Sequence, residues 1–397
     1  MTRASSSDIV RRRLVSQSLT GSPVLPVSGA VPAAGGRDAG EGAVAVVERM
    51  LALQAQDLRW AKWAVAVRSP GTTSADVDRL IDSGRIVRSW PMRGTLHLVP
   101  GRDLGWMLEL TTPRLWSGAA TRRRDLGLDE SIIEHARQVA VDALIGGREL
   151  SRSAFMELLE QNGISAAGQR GYHLIWHLAQ SGTLCWGRQL DSQQMLVLLD
   201  EWVPRPRRLE RDEALGEYLL RYLVGHGPAP LTDFIWWSQL TTADAKIALA
   251  VAAPHLVELE VDGVRHLLPR STDTTALPRA APGRGPAAVL ALAGFDEYLL
   301  GYRERNLAIE PEKFTWVVPG KNGIFLPILV RGGRVIGTWR REWQPRRVTV
   351  QPQPFLPFSD VSARSADRAL HEYARFLGRP VHVLPAATTP EPPEPVG

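Results

Sequence analysis

The sequence predicts an α+β protein in which three tandem winged helix-turn-helix units precede a strand-rich C-terminal region. Helical periodicity followed by a hairpin pattern occurs three times along the chain, and this order of elements is typical of winged helices. After residue 286 the pattern changes to strands. The 397 residues are 44% hydrophobic, which is enough apolar material for several packed cores.

The first unit is predicted over residues 8–110. Apolar residues recur at helical intervals over 41–53, and Ser74 is the expected N-cap of a further helix. Residues 86–99 alternate in polarity and predict the hairpin. A loop rich in Pro, Gly and Ala occupies 22–42, and the sequence assigns it no role.

The second unit is predicted over 111–205 and the third over 206–270, and each repeats the same order of elements. The predicted helices of the second unit cover 132–144, a short stretch from Ser151, and 171–180, and its strands cover 183–187 and 194–199. The predicted helices of the third unit cover 215–224, 231–238 and 241–253, and its hairpin covers 256–268.

The remaining chain is predicted as a linker, a strand-rich domain and a tail. Residues 271–286 are rich in Pro, Gly and Thr and indicate the linker. The domain covers 287–383 and closes with a helix over 366–377. The tail, 384–397, has the composition of a disordered segment.

Composition excludes several classes of protein. A single cysteine, Cys185, excludes an internal disulfide framework and a four-cysteine zinc site. No apolar run approaches the roughly 20 residues that a membrane span needs, so we expect a cytoplasmic protein without a membrane partner. The net charge of +5 is weak evidence for a polyanionic partner. Only four of the 47 basic residues are lysine, and arginine binds phosphates bidentately.

Four strings together resemble one bacterial family: LALQAQD (51–57), MRGTLHLVP (92–100), FDEYLLGYRER (295–305) and VIGTWRR (335–341). The family is that of the winged-helix DNA-binding proteins that include the AlkZ-type DNA glycosylases. These enzymes remove bulky alkylated purines and unhook interstrand crosslinks. The resemblance covers residues 8–382, and it implies a C-terminal β-barrel and a C-shaped clamp around duplex DNA.

The resemblance also assigns a catalytic motif of two glutamines separated by an apolar residue, which falls on Gln54-Ala55-Gln56. One branch of the family has Asp at the third position. Because this chain has Gln56 there, it resembles the crosslink-resistance branch that is found near natural-product gene clusters.

The spacing of Gln54 and Gln56 has its own physical consequence. Residues two apart lie about 200° apart on a helix and cannot share a target, whereas in an extended segment they point to the same side. Both amides can therefore face one ligand only if the preceding helix ends near Leu53. The alternative is that the two glutamines only hold a helix terminus by hydrogen bonds.

Neutral amides do not act as general bases near pH 7, so the substrate must already be activated. A guanine alkylated at N7 is cationic and leaves without protonation. Gln54 and Gln56 then need only place a water molecule and present dipoles to an oxocarbenium-like sugar. Asp57 is a further candidate for activating that water, although its side chain alternates to the opposite face.

Ten residues are predicted to contact DNA. They are the strand residues Arg93, Thr95 and His97, the cluster Tyr302, Arg303 and Arg305, and the turn or strand-end residues Lys321, Asn322, Arg340 and Arg341. The alternative for the first group is a solvated sheet face. The alternative for the second group, together with Asp296 and Glu297, is an interdomain network of ion pairs.

These observations lead to a functional hypothesis: a monomeric, monofunctional DNA glycosylase that acts on cationic 7-alkylguanine adducts or crosslinks in duplex DNA. The few lysines argue against a Schiff-base lyase mechanism. No metal or other cofactor is expected, because His173 and His177 have metal-pair spacing but no third ligand. The alternative hypothesis is a non-enzymatic winged-helix protein that regulates transcription or binds damaged DNA.

Overall fold

The computed structural model describes residues 2–20, 39–190, 193–272, 285, 288–321 and 323–387. Most of the loop predicted over 22–42 and most of the linker predicted over 271–286 lie outside these ranges, as do Asn322 and 388–397. No helix within the described ranges is both long and apolar enough to cross a membrane.

Sixteen α-helices are found among the described residues. They are α1 (Ser6–Ser16), α2 (Ala39–Met50), α3 (Leu58–Ala66), α4 (Ser74–Asp82), α5 (Leu104–Gly118), α6 (Ala120–Asp125), α7 (Glu130–Leu144), α8 (Arg152–Gln161), α9 (Arg170–Gln180), α10 (Leu199–Trp202), α11 (Arg211–His226), α12 (Leu231–Ser238), α13 (Thr242–Ala252), α14 (Glu297–Leu300), α15 (Phe314–Val317) and α16 (Asp360–Leu377).

Fourteen strands are found in the same ranges. They are β1 (Thr2–Arg3), β2 (Leu53–Gln54), β3 (Ile86–Met92), β4 (Thr95–Pro100), β5 (Leu150–Ser151), β6 (Leu184–Leu190), β7 (Gln193–Leu198), β8 (Leu256–Val261), β9 (Val264–Pro269), β10 (Val289–Ala291), β11 (Ile328–Arg331), β12 (Arg334–Trp343), β13 (Val348–Pro354) and β14 (Val381–Val383).

The order of three helices and an antiparallel hairpin occurs three times, where the sequence predicts it. The sets are α2, α3 and α4 with β3–β4, then α7, α8 and α9 with β6–β7, then α11, α12 and α13 with β8–β9. Capping side chains stabilise the N-termini of several of these helices. Thr73 and Asp76 form a capping box at α4, and Ser151 caps α8. Helices α5 and α6 were not predicted, and Pro113 inside α5 argues against a helix at the level of sequence.

The hairpins of the first two units are joined in one sheet. Its strand order is β2-β4-β3-β6-β7-β5, and β3 pairs with β6 through Arg88 and Trp186. The hairpin of the third unit forms a separate sheet in the order β1-β8-β9. The first two units therefore share one continuous β-sheet, which their hairpins form together. Strand β2 lies at an edge of this shared sheet.

The C-terminal domain contains a five-stranded sheet in the order β10-β11-β12-β13-β14. This finding corrects the predicted β-barrel, because no ladder joins β10 to β14 among the described residues. The last strand lies parallel to β13, an arrangement that requires a crossover connection, and α16 supplies it. Beyond β14, the backbone N–H groups of Leu384 and Ala387 donate to β13 at 2.9 and 3.0 Å, so the predicted tail begins as ordered chain.

The first unit and the C-terminal domain share one hydrophobic core. Trp63 of α3 donates from its indole N–H to the carbonyl of Ala291 in β10 at 2.9 Å, and its ring contacts Tyr373 of α16 edge to face. Helix α3 is thus enclosed between its own unit and a domain that lies more than 200 residues further along the chain. The segment that immediately precedes α3, residues 54–57, is fixed by the same packing.

A buried ion pair reinforces this junction. Arg68, just after α3, donates two hydrogen bonds to the Asp296 carboxylate at 2.9 and 2.6 Å, and a third bond reaches Gln17 at 2.8 Å. The side chains of Arg68 and Asp296 are 0% and 1% exposed. A bidentate geometry with further hydrogen bonds is what allows such charges to be buried.

Replacing Arg68 by methionine should destabilise the fold strongly, because the Asp296 carboxylate then stays buried without its partner. We expect the free energy of unfolding to fall by about 3–5 kcal/mol, measured by urea denaturation. Arg137→Met is the matched control, because Arg137 pairs with Glu134 at the surface, and its unfolding midpoint should not change. An equal midpoint for both variants would contradict the role given to Arg68.

Candidate active site

The Gln-Ala-Gln segment is extended and lies along the edge of the shared sheet. Helix α2 ends at Met50, and Gln54 of β2 pairs with His97 of β4. The N–H of Ala55 donates to the carbonyl of Leu96 at 2.7 Å, which continues the pairing beyond the strand. The backbone therefore has the conformation that the spacing argument requires.

The side chains alternate as an extended backbone demands. Ala55 is fully buried in the core that the first unit shares with the C-terminal domain, whereas Gln54 is half-buried and Gln56 is exposed. The amide oxygen of Gln56 accepts from the Leu96 N–H at 3.1 Å. The amide oxygen of Gln54 accepts from the Arg93 guanidinium at 3.3 Å. Each amide is held in place by a donor of the protein.

Arg93 reaches Gln54 because of the tight turn between β3 and β4. Arg93 and Gly94 form the two-residue loop, with φ of 56° and 67°, and Met92 pairs with Thr95 on either side. Two central residues with positive φ characterise the type I′ turn, which matches the twist of a hairpin. Glycine adopts this conformation readily, but an arginine there is uncommon and strained. Such strain is found most often at functional sites.

The Arg93 guanidinium is surrounded by partners from several elements. One of its Nη atoms bonds both Gln54 and His97 Nε2, the latter at 3.1 Å. The other Nη donates to the carbonyl of Leu300 at 3.5 Å. Glu297 Oε1 lies 3.7 Å from the guanidinium, and the two side chains are 12% (Arg93) and 0% (Glu297) exposed. Burial lowers the pKa of Arg93, and the Glu297 charge opposes this effect.

Glu297 and His97 differ in charge state in this buried region: one is ionised and the other is neutral. Burial tends to raise the pKa of Glu297, but the hydrogen bond with His226 and the charge of Arg93 lower that pKa to about 2. Burial and the charge of Arg93 lower the pKa of His97 to about 3. Near neutral pH the site therefore contains an ionised Glu297 and a neutral His97, whose Nδ1 donates to the carbonyl of Thr95 at 2.9 Å.

Asp57 has a structural role that accounts for both of its oxygens. Oδ1 accepts from the N–H groups of Arg59 and Trp60 at 2.8 and 3.2 Å, which caps α3. Oδ2 pairs with Arg341 at 2.9 Å. This geometry favours a cap over the alternative that Asp57 activates water.

Arg88 also belongs to the site, although the sequence analysis did not single it out. Its guanidinium donates to the carbonyls of Ala55 and Gln56 at 2.9 and 3.2 Å and to the side chain of Gln194 at 2.6 Å. Arg88 thus ties the glutamine segment to the hairpin of the second unit. In the sequence it is one polar residue in an alternating strand, and no local pattern identifies its partners.

The structure places the ten predicted DNA-contacting residues in different environments. Arg303 and Arg340 are exposed, Thr95 is half-buried, and Arg305 is half-buried with its guanidinium over the rings of Trp236, Phe314 and Phe325. The side chain of Lys321 and the whole of Asn322 lie outside the described residues.

The other four of the ten are turned into the protein. His97 and Tyr302 are buried, and the Tyr302 hydroxyl donates to the carbonyl of His226 at 2.7 Å, so neither presents a surface to DNA. The Arg93 and Arg341 side chains are largely buried in ion pairs with carboxylates. A phosphate would have to displace those carboxylates to reach Arg93 or Arg341, so this geometry favours internal roles for both arginines.

The cluster around Asp296 and Glu297 instead has the form of an interdomain network. Asp296 holds Arg68 of the first unit, and Glu297 faces Arg93 of the same unit and accepts from the indole of Trp237 in the third unit at 2.9 Å. This is the alternative that the sequence left open for that motif. Its positions in the chain give no indication of which arginines are bound.

The amides of Gln54 and Gln56 lie together at the edge of the sheet, and buried charges support them from behind. The residues just described include neither a nucleophilic side chain nor a free carboxylate. Such a site suits hydrolysis of a bond that the substrate has already weakened, which is the task of a DNA glycosylase acting on an alkylated base. Residues 47–376 match the family described as DNA glycosylase AlkZ-like. The chain belongs to this family, and it is a DNA glycosylase.

Two proteins show the relationship in more detail. The chain is 27% identical over 347 residues to the interstrand DNA cross-link repair glycosylase of Streptomyces sahachiroi, covering 84% of this chain and 90% of that protein. The solved structure of the Streptomyces sahachiroi DNA glycosylase AlkZ superposes with a TM-score of 0.72 at 23% identity, covering 96% of this chain and 100% of that one. The structural similarity supports the mixed α+β fold.

Two substitutions of Asp57 should separate a helix cap from a catalytic base. Asparagine also caps helices, so Asp57→Asn should keep base release within about threefold of the wild type. Asp57→Ala removes the cap and should lower the free energy of unfolding by about 1 kcal/mol. Base release is measured in single turnover and stability by thermal unfolding. A loss of a hundredfold or more in folded Asp57→Asn would restore Asp57 as the base.

Proposed function

We propose that this glycosylase hydrolyses the N-glycosidic bond of bulky, cationic 7-alkylguanine adducts or interstrand crosslinks in duplex DNA. In this proposal it acts as a monomer, without a cofactor and without lyase activity. The observation that carries the proposal is the pair of neutral amides, Gln54 and Gln56, on one side of an extended segment. The similarity to an enzyme named for interstrand cross-link repair supports the crosslink part.

The chemistry needs little from the protein because the substrate supplies the activation. Alkylation at N7 puts a positive charge on the guanine, so the base departs with the glycosidic electron pair as a neutral molecule. Water adds to the anomeric carbon and loses one proton to solvent, leaving an abasic sugar. The protein must hold the water near that carbon and stabilise the positive sugar, which fixed dipoles can do.

Gln54 and Gln56 are suited to this role by distance and by anchoring. Their Cα atoms are about 7 Å apart, two residues along an extended chain, so one water molecule fits between the amides. Each amide oxygen already accepts one hydrogen bond from the protein and keeps a second lone pair for water. Because the anchors hold the dipoles in place before the substrate binds, little reorganisation is needed in the transition state.

The absence of a side chain that could protonate the leaving base also provides selectivity at the proposed site. Undamaged guanine carries no charge and is a poor leaving group without protonation, and neither glutamine can supply a proton as an acid would. The proposed site therefore discriminates by the reactivity of the base rather than by a tight pocket. Bulky or crosslinked bases, which cannot be flipped into such a pocket, would remain substrates if the enzyme approached them within the duplex.

We further propose that DNA lies against the sheet edge, in a clamp, rather than on the third helices of the units. The third helix of the second unit, α9, is buried from Leu174 to Gln180. The exposed positions of α4 include the carboxylate of Asp82, and those of α13 include Ile247 and Val251. Helices α4 and α13 each have one exposed cation, Arg79, which pairs with Asp76, and Lys246, so none of these faces has the run of cations expected of a helix that enters the major groove.

A cleft of about 820 Å³ beside the glutamines supports this placement. Arg88, which bonds the carbonyl of Gln56, lines the cleft. Arg59 and Arg379 also line it, whereas Lys62 in the same wall is buried and pairs with Asp78. Arg59, Arg88 and Arg379 thus place positive charge in a groove next to the glutamine segment, as a DNA backbone requires.

Replacing either glutamine should remove catalysis and spare binding. We expect Gln54→Ala and Gln56→Ala each to lower single-turnover release of 7-alkylguanine by about 10²–10³-fold. Affinity for the same duplex should stay within about threefold, since neither amide is needed for phosphate contacts. Gln138→Ala, at an exposed position of α7, is the matched control. Full activity in the double variant would refute the assignment.

The rate of base release from a cationic lesion should not depend on pH between about 5 and 8. The amides do not titrate in this range, and the pKa values of Glu297 and His97 are lowered to about 2 and about 3. Both groups therefore complete their titration below the range tested. Single-turnover rates across the range measure this, and a tenfold rise with pH would instead indicate a general base.

A further inference from the structure

Glu297 has no place in the reaction as described so far, yet its burial and contacts are unusual. Its carboxylate is completely enclosed. One oxygen accepts from the indole N–H of Trp237 at 2.9 Å and faces His226 Nε2 at 3.3 Å. The other oxygen, Oε1, has no hydrogen-bond donor among the described residues and faces the Arg93 guanidinium at 3.7 Å. An ionised, enclosed carboxylate is costly unless it is paired.

Arg93 connects this carboxylate to the proposed catalytic amide. The same Nη atom that lies 3.7 Å from Glu297 bonds the Gln54 oxygen at 3.3 Å. The guanidinium is thus within roughly two hydrogen-bond lengths, about 6–7 Å, of any group that Gln54 touches. A fixed positive charge at that distance would repel both a cationic base and an oxocarbenium-like sugar.

We propose that Glu297 is a positioning residue of the glycosylase site that acts through Arg93. Its carboxylate fixes the guanidinium that holds the Gln54 amide, and it cancels the positive charge that the guanidinium would otherwise present to a cationic substrate. This inference rests on the proposed function, because it takes Gln54 to contact the reacting sugar. The Arg93–Glu297 pair thus provides the planar hydrogen-bond donors of an arginine while having no net charge.

Neutral donors would hold Gln54 less firmly, which explains why a charged pair is present. A guanidinium donates several bonds in a fixed plane, and here it bonds Gln54, His97 and the carbonyl of Leu300 at once. An asparagine in the turn, which suits its conformation better, could not reach all three. The enclosed position of Glu297 makes the compensation effective, because solvent does not screen it.

The test measures how the site responds to charge, using two abasic analogues in the same duplex. One analogue carries a pyrrolidine ring, which is protonated at neutral pH, and the other carries a neutral tetrahydrofuran. The ratio of their Kd values reports the preference for a positive sugar. We expect Glu297→Gln to reduce the preference for the cationic analogue by about 10- to 50-fold, the effect of one unit charge at this distance.

Arg93→Met should have the opposite sign. It leaves the Glu297 charge uncompensated, so the preference for the cationic analogue should rise by at least severalfold. Asp103→Asn is the matched control: Asp103 is as completely buried as Glu297 and holds Arg207 and Arg221, and no hydrogen bond or ion pair joins it to Arg93. Its ratio should equal that of the wild type even if its stability falls.

A merely structural role for Glu297 would weaken both analogues equally and leave the ratio unchanged, and that result overturns the proposal. Ratios that move in the same direction in Glu297→Gln and Arg93→Met overturn it as well. If Glu297→Gln alone does not fold, the double variant Arg93→Met/Glu297→Gln decides: a ratio that returns to the wild-type value supports the proposal, and a ratio equal to that of Arg93→Met rejects it.

Base release separates this inference from the proposed function. If the wild type releases no 7-alkylguanine, the proposed function fails whatever the variants do. If the wild type releases the base and folded Glu297→Gln does so at the same rate, only the role of Glu297 fails. We expect Glu297→Gln to lower the single-turnover rate by about 10- to 50-fold with little change in affinity for undamaged duplex.

Discussion

Two adjacent buried carboxylates, Asp296 and Glu297, are the constraint on which the rest of this structure depends. Each one holds an arginine of the first unit, Arg68 for Asp296 and Arg93 for Glu297. Arg68 follows helix α3 and Arg93 lies in the β3–β4 turn, so the two arginines fix the two elements that border the Gln-Ala-Gln segment. Because neither charge can be enclosed without its partner, the C-terminal domain and the first unit cannot separate without a large loss of stability.

This arrangement explains how a short, solvent-facing segment is kept rigid. Behind it, Ala55 is enclosed in a core to which both domains contribute. On one side Arg88 bonds its backbone carbonyls, and on the other Arg93 bonds Gln54. Under the proposed mechanism, catalysis by neutral dipoles depends on their orientation being set in advance, and the residues that hold the two amides lie behind them in the structure.

The sequence was sufficient for features that arise from local patterns. Helical and alternating periodicities predicted three helix-and-hairpin units, and the two-residue spacing of the glutamines required the extended segment that is found. The sequence was insufficient for contacts between residues that are far apart in the chain. Arg68 and Asp296 are separated by 228 residues. Nothing in the sequence near Arg93 indicates that this arginine faces a carboxylate rather than a phosphate. The expected barrel failed for a related reason, because whether a sheet closes depends on where its last strand pairs, and here α16 carries that strand to β13.

The junction of two hairpins in one sheet also limits how this chain can be divided. Strand β3 lies between β4 and β6, so it is interior only while the second unit is present. A fragment that ended after the first unit would expose β3 as an unpaired edge, which is a template for association with other chains. The repeats are therefore not interchangeable modules: loss of the second unit by recombination would create an unpaired edge two strands away from the strand that contains Gln54.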